Sequence, residues 1–172
     1  MQTDALAMRA ATGAAAGLVA TAVLQPLRAA TKARFPETSP PMRQEPGEFM
    51  VEQAERALPR TVREKVPEPA ERIGAKTLAL GYGMTFGVLY RLVRKTPGNV
   101  FVDAAALGVA SWAVGYLGWL PATGLMPPVT RQEPAKVVVP LLQHMVFGLV
   151  AVAVVRGIVA ATRQRESVPS VI

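Results

Sequence analysis

The distribution of charge along the chain constrains its fold more than any other feature. Four stretches contain no Asp, Glu, Lys or Arg, and nearly all the charge lies between them. An unpaired charge at the centre of a bilayer is costly, so long charge-free runs are what membrane spans require. A soluble helical bundle would instead carry charges every few residues on its outward faces. The charge-free stretches are Ala10–Leu27, Thr77–Tyr90, Ala104–Thr130 and Val137–Val155.

This pattern predicts an all-α polytopic membrane protein, a compact bundle of four transmembrane helices in a single membrane domain. The predicted spans cover residues 10–27, 70–94, 100–120 and 135–161. The charge-free core of the second span has only 14 residues, fewer than the roughly 20 that a crossing needs. The long side chains of Lys76 and Arg91 must therefore extend outward along the helix, so that their charged groups reach the lipid headgroups. A re-entrant or tilted segment is the alternative for this helix.

A long polar segment, residues 28–69, separates the first two spans. Its stretch Gly47–Leu58 places apolar residues on one helical face and most of its charges on the other. We predict a short amphipathic helix that lies on the membrane surface or caps the bundle, with a docking surface for a partner as the alternative. The predicted apolar face consists of Met50, Ala54, Ala57 and Leu58.

Composition excludes several kinds of site. The chain has no cysteine and one histidine, so disulfides, thiolate chemistry and multi-histidine metal sites are ruled out. The net charge is +7, but the basic residues of the long segment are interleaved with glutamates. This favours loops facing anionic lipid over a nucleic-acid partner. No metal motif, phosphate loop or nucleophile elbow is present, so we expect no catalytic residues and no enzyme activity.

Small residues spaced four apart predict how the helices pack. Lipid provides no hydrophobic drive between spans, so close backbone approach is what holds them together. We predict intramolecular packing into a tight bundle, with self-association or a contact with other membrane-protein subunits as the alternative. The predicted packing residues are Gly13 and Gly17 in span 1, Ala75, Ala79, Gly83 and Gly87 in span 2, and Gly157 in span 4.

Two charged residues lie within the third and fourth spans. Asp103 and Arg156 should each lie about one turn inside the same face of the membrane, and a charge in that position needs a partner. We therefore predict a structural ion pair that joins span 3 to span 4. A proton or ion path through Asp103 is one alternative, and an Asp103 side chain that simply reaches the membrane interface is the other.

The single histidine, His144, should lie about two turns into span 4, at a depth similar to that of Tyr116. We expect it to be hydrogen-bonded inside the bundle. Proton handling with Tyr116 is one alternative. An axial ligand to a haem or chlorophyll is another, because Gly148 one turn later could leave room for a macrocycle.

The C-terminal half also carries a recognisable pattern. Gly124-Leu125-Met126-Pro127-Pro128-Val129 is followed by His144-Met145-Val146-Phe147-Gly148 and by Arg156. This pattern resembles the C-terminal part of the YagU-like family of small bacterial inner-membrane proteins. The Gly- and Ala-rich first span is also similar, whereas the long charged segment after it departs from the family. The resemblance implies a four-span inner-membrane protein with cytoplasmic termini, and it implies no reaction.

The distribution of Lys and Arg opposes that orientation. Seven of these residues lie on the side of the termini and twelve on the side of the long segment, so the positive-inside rule taken literally would place the long segment inside. We follow the resemblance, and also the short basic turn at Arg94 and Lys95, in expecting cytoplasmic termini.

The sequence thus predicts a small integral membrane protein without a catalytic site, either free-standing or an accessory subunit of a larger membrane complex. Two alternatives remain open. One is a small transporter or proton-linked channel that uses Asp103, His144 and Arg156. The other is a pigment- or haem-binding subunit that uses His144.

Overall fold

The structure, a computed structural model, describes residues 2–59, 61 and 67–167. Every regular element within these residues is helical, which confirms the predicted all-α class. Three helices are long and apolar enough to cross a membrane: Thr3–Arg34, Val100–Ala122 and Pro134–Gln164. Parts of the predicted polar segment, at residues 60 and 62–66, lie outside the described residues.

The five main helices of the described chain are named here in order. Helix α1 is Gln2–Arg34, α2 is Pro46–Arg56, α3 is Glu68–Val93, α4 is Val100–Ala113 and α5 is Pro134–Ser167. Helix α4 continues through a π-helical segment, Val114–Trp119, into a last turn, Leu120–Ala122.

Two helix boundaries follow from local chemistry. The Asn99 side chain accepts hydrogen bonds from the backbone N–H groups of Phe101 and Val102, so Asn99 is the N-cap of α4. Helix α1 continues through Pro26 to Arg34, beyond the predicted end at Leu27. A proline removes a single backbone donor, and a long helix can continue past it.

The long helices pack in the order α3, α1, α5, α4, with neighbours antiparallel. The start of α1, the turn of residues 94–99 and the end of α5 lie together, and we call this the turn end. The segments of residues 35–45 and 123–133 lie at the opposite end, which we call the loop end. Helices α3 and α4 complete the ring but make few contacts with each other.

Glycines bring α1 and α3 into backbone contact. Gly13 lies against Gly87, and Gly17 lies against Gly83. A Cβ on Gly13 or Gly87 would collide with the carbonyl group of its opposite glycine, so this contact requires residues without side chains. Gly83 also touches the Thr21 side chain, whose hydroxyl donates to the Gly17 carbonyl at 2.8 Å.

A second close contact joins α4 to α5. A Cβ on Gly108 would lie 2.6 Å from the His144 carbonyl oxygen, and a Cβ on Gly148 would collide with the Ala104 carbonyl. The packing prediction for Gly157 is wrong, since Gly157 is exposed and no atom lies within 4 Å of its Cβ position. Val155 is fully buried, and a residue two positions further points to nearly the opposite side of a helix.

The loop end has its own apolar core. Leu125 and Met126, in the connection after α4, are only 4% and 2% exposed. The backbone N–H of Arg43 donates to the Leu125 carbonyl at 2.9 Å and ties the two loop-end segments together. Gly124 has a φ of 74°, a left-handed conformation that favours glycine. The packed partners are Trp112, Tyr116 and Leu120, with Met42 and Phe49 against them.

Helix α2 packs on α3 through a different face from the one predicted. A Cβ on Gly47 would lie 2.5 Å from the Ala75 carbonyl oxygen, and Val51 contacts Gly74. Met50 and Leu58, from the predicted inward face, are each 43% exposed. Close approach at Gly47 therefore sets the rotation of α2, which packs Phe49 against the loop-end core and leaves Met50 exposed.

We predict that Gly87→Ala destabilises the bundle by about 1 kcal/mol or more, because the new methyl group collides with the Gly13 backbone. Gly81→Ala on the same helix is the matched control, since nothing lies within 4 Å of its Cβ position. Alanine favours a helix over glycine by about 1 kcal/mol, so the control should raise the melting temperature in detergent. Equal melting temperatures for the two variants would contradict the α1–α3 contact.

Candidate functional site

A cleft lies between α3 and α4. The two helices meet near the turn end and separate towards the loop end. The cleft encloses about 690 Å³, within the range of about 300–1,000 Å³ that ligand pockets occupy. Its wall is mostly apolar, and α1, α2 and α5 complete it.

A hydrogen bond closes the bottom of the cleft. The Tyr82 hydroxyl, on α3, donates to the Ser111 carbonyl on α4 at 2.9 Å. Thr21, Gly83 and Phe147 line the cleft at about the same level. Below this level α3 and α4 come together, so the cleft does not extend to Asp103, which is absent from its lining.

The π-helical segment forms one wall of the cleft. Gly115, Tyr116 and Trp119 all line it. The Leu120 N–H donates to the Gly115 carbonyl, five residues earlier, and Gly118 has a non-helical backbone. Such π segments are often found at functional sites because they change which side chains face inward. Gly115 and Trp119 were not predicted as site residues, and a concentration of glycine and aromatic residues was the signal in the sequence for this wall.

His144 and Tyr116 are neighbours on the cleft wall. Their ring centroids lie 5.8 Å apart, with the rings nearly perpendicular. The Nδ1 atom of His144 is 2.7 Å from the Pro140 carbonyl oxygen, which can only accept a hydrogen bond. Nδ1 therefore carries a proton, and in the neutral ring Nε2 is left as an acceptor.

The alternative of a haem or chlorophyll ligand depended on open space beside Gly148, and this space is filled. The α4 backbone at Ala104 fills the position beside it, and the glycine serves to bring α4 and α5 together. Among the described residues, no group of three or more His, Asp or Glu side chains is arranged to hold a metal ion.

Asp103 anchors the turn end, but its ionic partner is not the predicted one. Its carboxylate is 1% exposed and lies 3.0 Å from the Arg94 guanidinium. The Tyr90 hydroxyl and the Gly98 N–H donate to Oδ2 at 3.0 and 2.9 Å. Arg156 instead donates to the Gly98 carbonyl at 2.7 Å. Asp103 and Arg156 thus hold the same peptide segment without pairing with each other.

Arg91 also differs from the sequence prediction. It does not extend into the headgroups but is 5% exposed and donates to the carbonyls of Arg94 and Lys95, at 2.6 and 3.3 Å. Cationic side chains commonly satisfy the last carbonyls of a helix in this way. The buried guanidinium therefore stabilises the end of α3 and the turn that follows.

The predicted stripe of small residues on α3 divides into two parts. Gly83 and Gly87 contact α1. Ala75 and Ala79 line the cleft, and Ala75 also meets α2 at Gly47. The stripe is therefore a helix contact near the turn end and part of the cleft wall near the loop end.

Comparisons with known proteins gave no match to any family model, curated protein or solved structure.

A double-mutant cycle will test the network at the turn end. We expect Asp103→Asn and Arg94→Gln to be coupled by about 1 kcal/mol, because each removes one half of the same ion pair. The cycle of Asp103→Asn with Arg156→Gln should give a smaller coupling, since these two side chains meet only through Gly98. Unfolding free energies in detergent provide the measurement. A coupling free energy between Asp103 and Arg156 that exceeds the one between Asp103 and Arg94 would support the ion pair predicted from the sequence.

Proposed function

We propose that this chain is a four-span integral membrane protein that binds an apolar molecule from the bilayer in the cleft between α3 and α4, without catalysis. The observation that supports this proposal is the cleft itself, which has a volume of about 690 Å³ and mostly apolar walls. The other neighbouring helices of the bundle pack closely. A pocket of this kind, with a few polar groups on its wall, is the usual form of a small-molecule site.

Two observations support α3 as the fourth span. Its 26 residues extend about 39 Å at 1.5 Å per residue, which exceeds the hydrocarbon core of about 30 Å. Its glycines also meet α1 at Gly13 and Gly17, within the charge-free run of α1. This contact supports a position for α3 in the hydrocarbon beside α1.

We also propose the bacterial inner membrane as the location, with cytoplasmic termini and membership of the YagU-like family. The motif around Gly124 and His144 supports this family, because its residues have structural roles that would restrain their substitution. Gly124 adopts a left-handed conformation, Leu125 and Met126 are buried, and Gly148 meets α4. A role as an accessory subunit of a membrane complex is compatible with the same site.

The transporter alternative has less support. It requires Asp103, His144 and Arg156 to share a path, yet only His144 lines the cleft. Asp103 is enclosed by Tyr90, Arg94 and Gly98 at the other end of the bundle.

Single cysteines will test the four spans, since the chain has no cysteine of its own. We expect an impermeant maleimide to label Gln53→Cys and Thr130→Cys in whole cells and to label Thr96→Cys only after permeabilisation. If α3 does not cross, Gln53→Cys and Thr96→Cys will behave alike and Thr130→Cys will differ. If all three are reversed, the four spans stand and only the orientation is wrong.

Filling the cleft will test the binding function. Ala79 lines the cleft, so Ala79→Phe should displace bound lipid or other apolar molecules by occupying their volume. We expect at least a severalfold loss of lipid that copurifies with the protein in mild detergent, quantified by mass spectrometry.

The matched control is Ala110→Phe, an exposed position on α4 outside the cleft. It adds the same side chain and should leave copurifying lipid unchanged. Equal retention by wild type and both variants would show that the cleft does not bind apolar molecules.

A further inference from the structure

The cleft continues at the loop end into a second cavity of different chemistry. This cavity encloses about 430 Å³ between α1, the segment of residues 38–45 and the start of α5. Hydroxyl and amide side chains line it, including Thr38, Ser39, Gln44 and Gln143. Arg28 lines both cavities, so the apolar cleft and the polar cavity adjoin at its side chain.

The side chain of Arg28 has no ionic partner. Across the part of the chain that the structure describes, it forms neither a hydrogen bond nor an ion pair, although it is half-buried. A partly desolvated guanidinium without a counter-charge is unfavourable and favours an anionic ligand. Lys32, on the same helix, is 4.0 Å from Glu45, so the adjacent cation and carboxylate of the polar cavity compensate each other.

The rim of the two cavities carries an excess of positive charge. Among the lining residues, the three cations Arg28, Lys32 and Lys76 outnumber the two carboxylates Glu45 and Glu48. This excess matches a ligand with at least one negative charge.

The rim also lies at the depth where a lipid phosphate lies. Arg28 is the first charged residue after the charge-free run of α1, and Lys76 is the last charged residue before that of α3. Both therefore mark the boundary between hydrocarbon and headgroups. Along α1, the distance from Arg28 at the rim to Thr21 at the bottom of the cleft is about 10 Å at 1.5 Å per residue. A cleft of this depth can hold the upper part of an acyl chain.

We infer that the two cavities together form a site for one anionic phospholipid from the surrounding bilayer. An acyl chain occupies the apolar cleft beside Ala79 and Tyr116, the phosphate pairs with Arg28 and Lys76, and the rest of the headgroup lies in the polar cavity. This inference rests on the proposed function and adds to it the chemical class of the ligand.

Tryptophan fluorescence provides the test. The chain has two tryptophans, and Trp119 lines the cleft whereas Trp112 does not. The full chain is reconstituted in phosphatidylcholine vesicles that contain a small fraction of a lipid with brominated acyl chains. This brominated lipid is phosphatidylglycerol in one set of vesicles and phosphatidylcholine in the other. Bromine quenches a tryptophan that it contacts, and Trp119→Phe identifies the share of quenching that arises in the cleft.

We expect brominated phosphatidylglycerol to quench Trp119 with an apparent affinity about fivefold above that of brominated phosphatidylcholine. Arg28→Gln should reduce this preference to near unity, and Arg28→Lys should keep most of it. Arg34→Gln is the matched control on the same helix. Arg34 is an exposed cation outside both cavities, so the preference should survive its substitution.

Equal quenching of Trp119 by both lipids would overturn the anionic ligand and leave the proposed cleft function standing. Quenching by neither lipid would remove the proposed function as well. Soluble glycerol phosphate should not reverse the quenching, and reversal would show that the site takes a free phosphate and not a lipid. If Arg28→Gln fails to fold, Lys76→Gln replaces it, and an unchanged preference in that variant would also overturn the inference.

Discussion

Contact between the glycines of α1 and α3 is the constraint on which the rest of the structure depends. α3 is not among the three helices of the described chain that are apolar enough to cross a membrane, and its small central residues let it approach α1 until the two backbones touch. In a bilayer, this dispersion contact replaces the hydrophobic drive that would hold the helix in a soluble protein. Because the contact is confined to the half of α3 near the turn end, its other half is free to stand away from α4.

The two ends of the bundle are therefore built from different interactions. At the turn end, Asp103, Arg91 and Arg156 bind backbone groups and fix the short connection between α3 and α4. At the loop end, the connection after α4 packs inward, and its residues Leu125 and Met126 are buried in the apolar core. Directional polar bonds hold one end closed, whereas non-directional packing lets the other end retain a cavity.

Much of the helical architecture could be predicted from the sequence, because it depends on local patterns. Charge-free runs located the apolar helices, and the start predicted for the third span, residue 100, is the first residue of α4. Rotation about a helix axis depends on which neighbour is nearest, so Gly157 and the contact face of α2 were assigned wrongly. The partner of Asp103 depends on the path of a six-residue turn, which no periodicity encodes.

The cleft itself could not be predicted, since it exists where two helices fail to meet. Its wall nevertheless has an origin in the chain, the π-helical segment Val114–Trp119. Within this segment the backbone of Gly118 is not helical, so α4 is kinked there and its last turn leaves the direction of Val100–Ala113. Trp119 and the loop that follows both come after this kink. A single local break in α4 therefore precedes both the cleft wall at Trp119 and the buried packing of Leu125 and Met126 at the loop end.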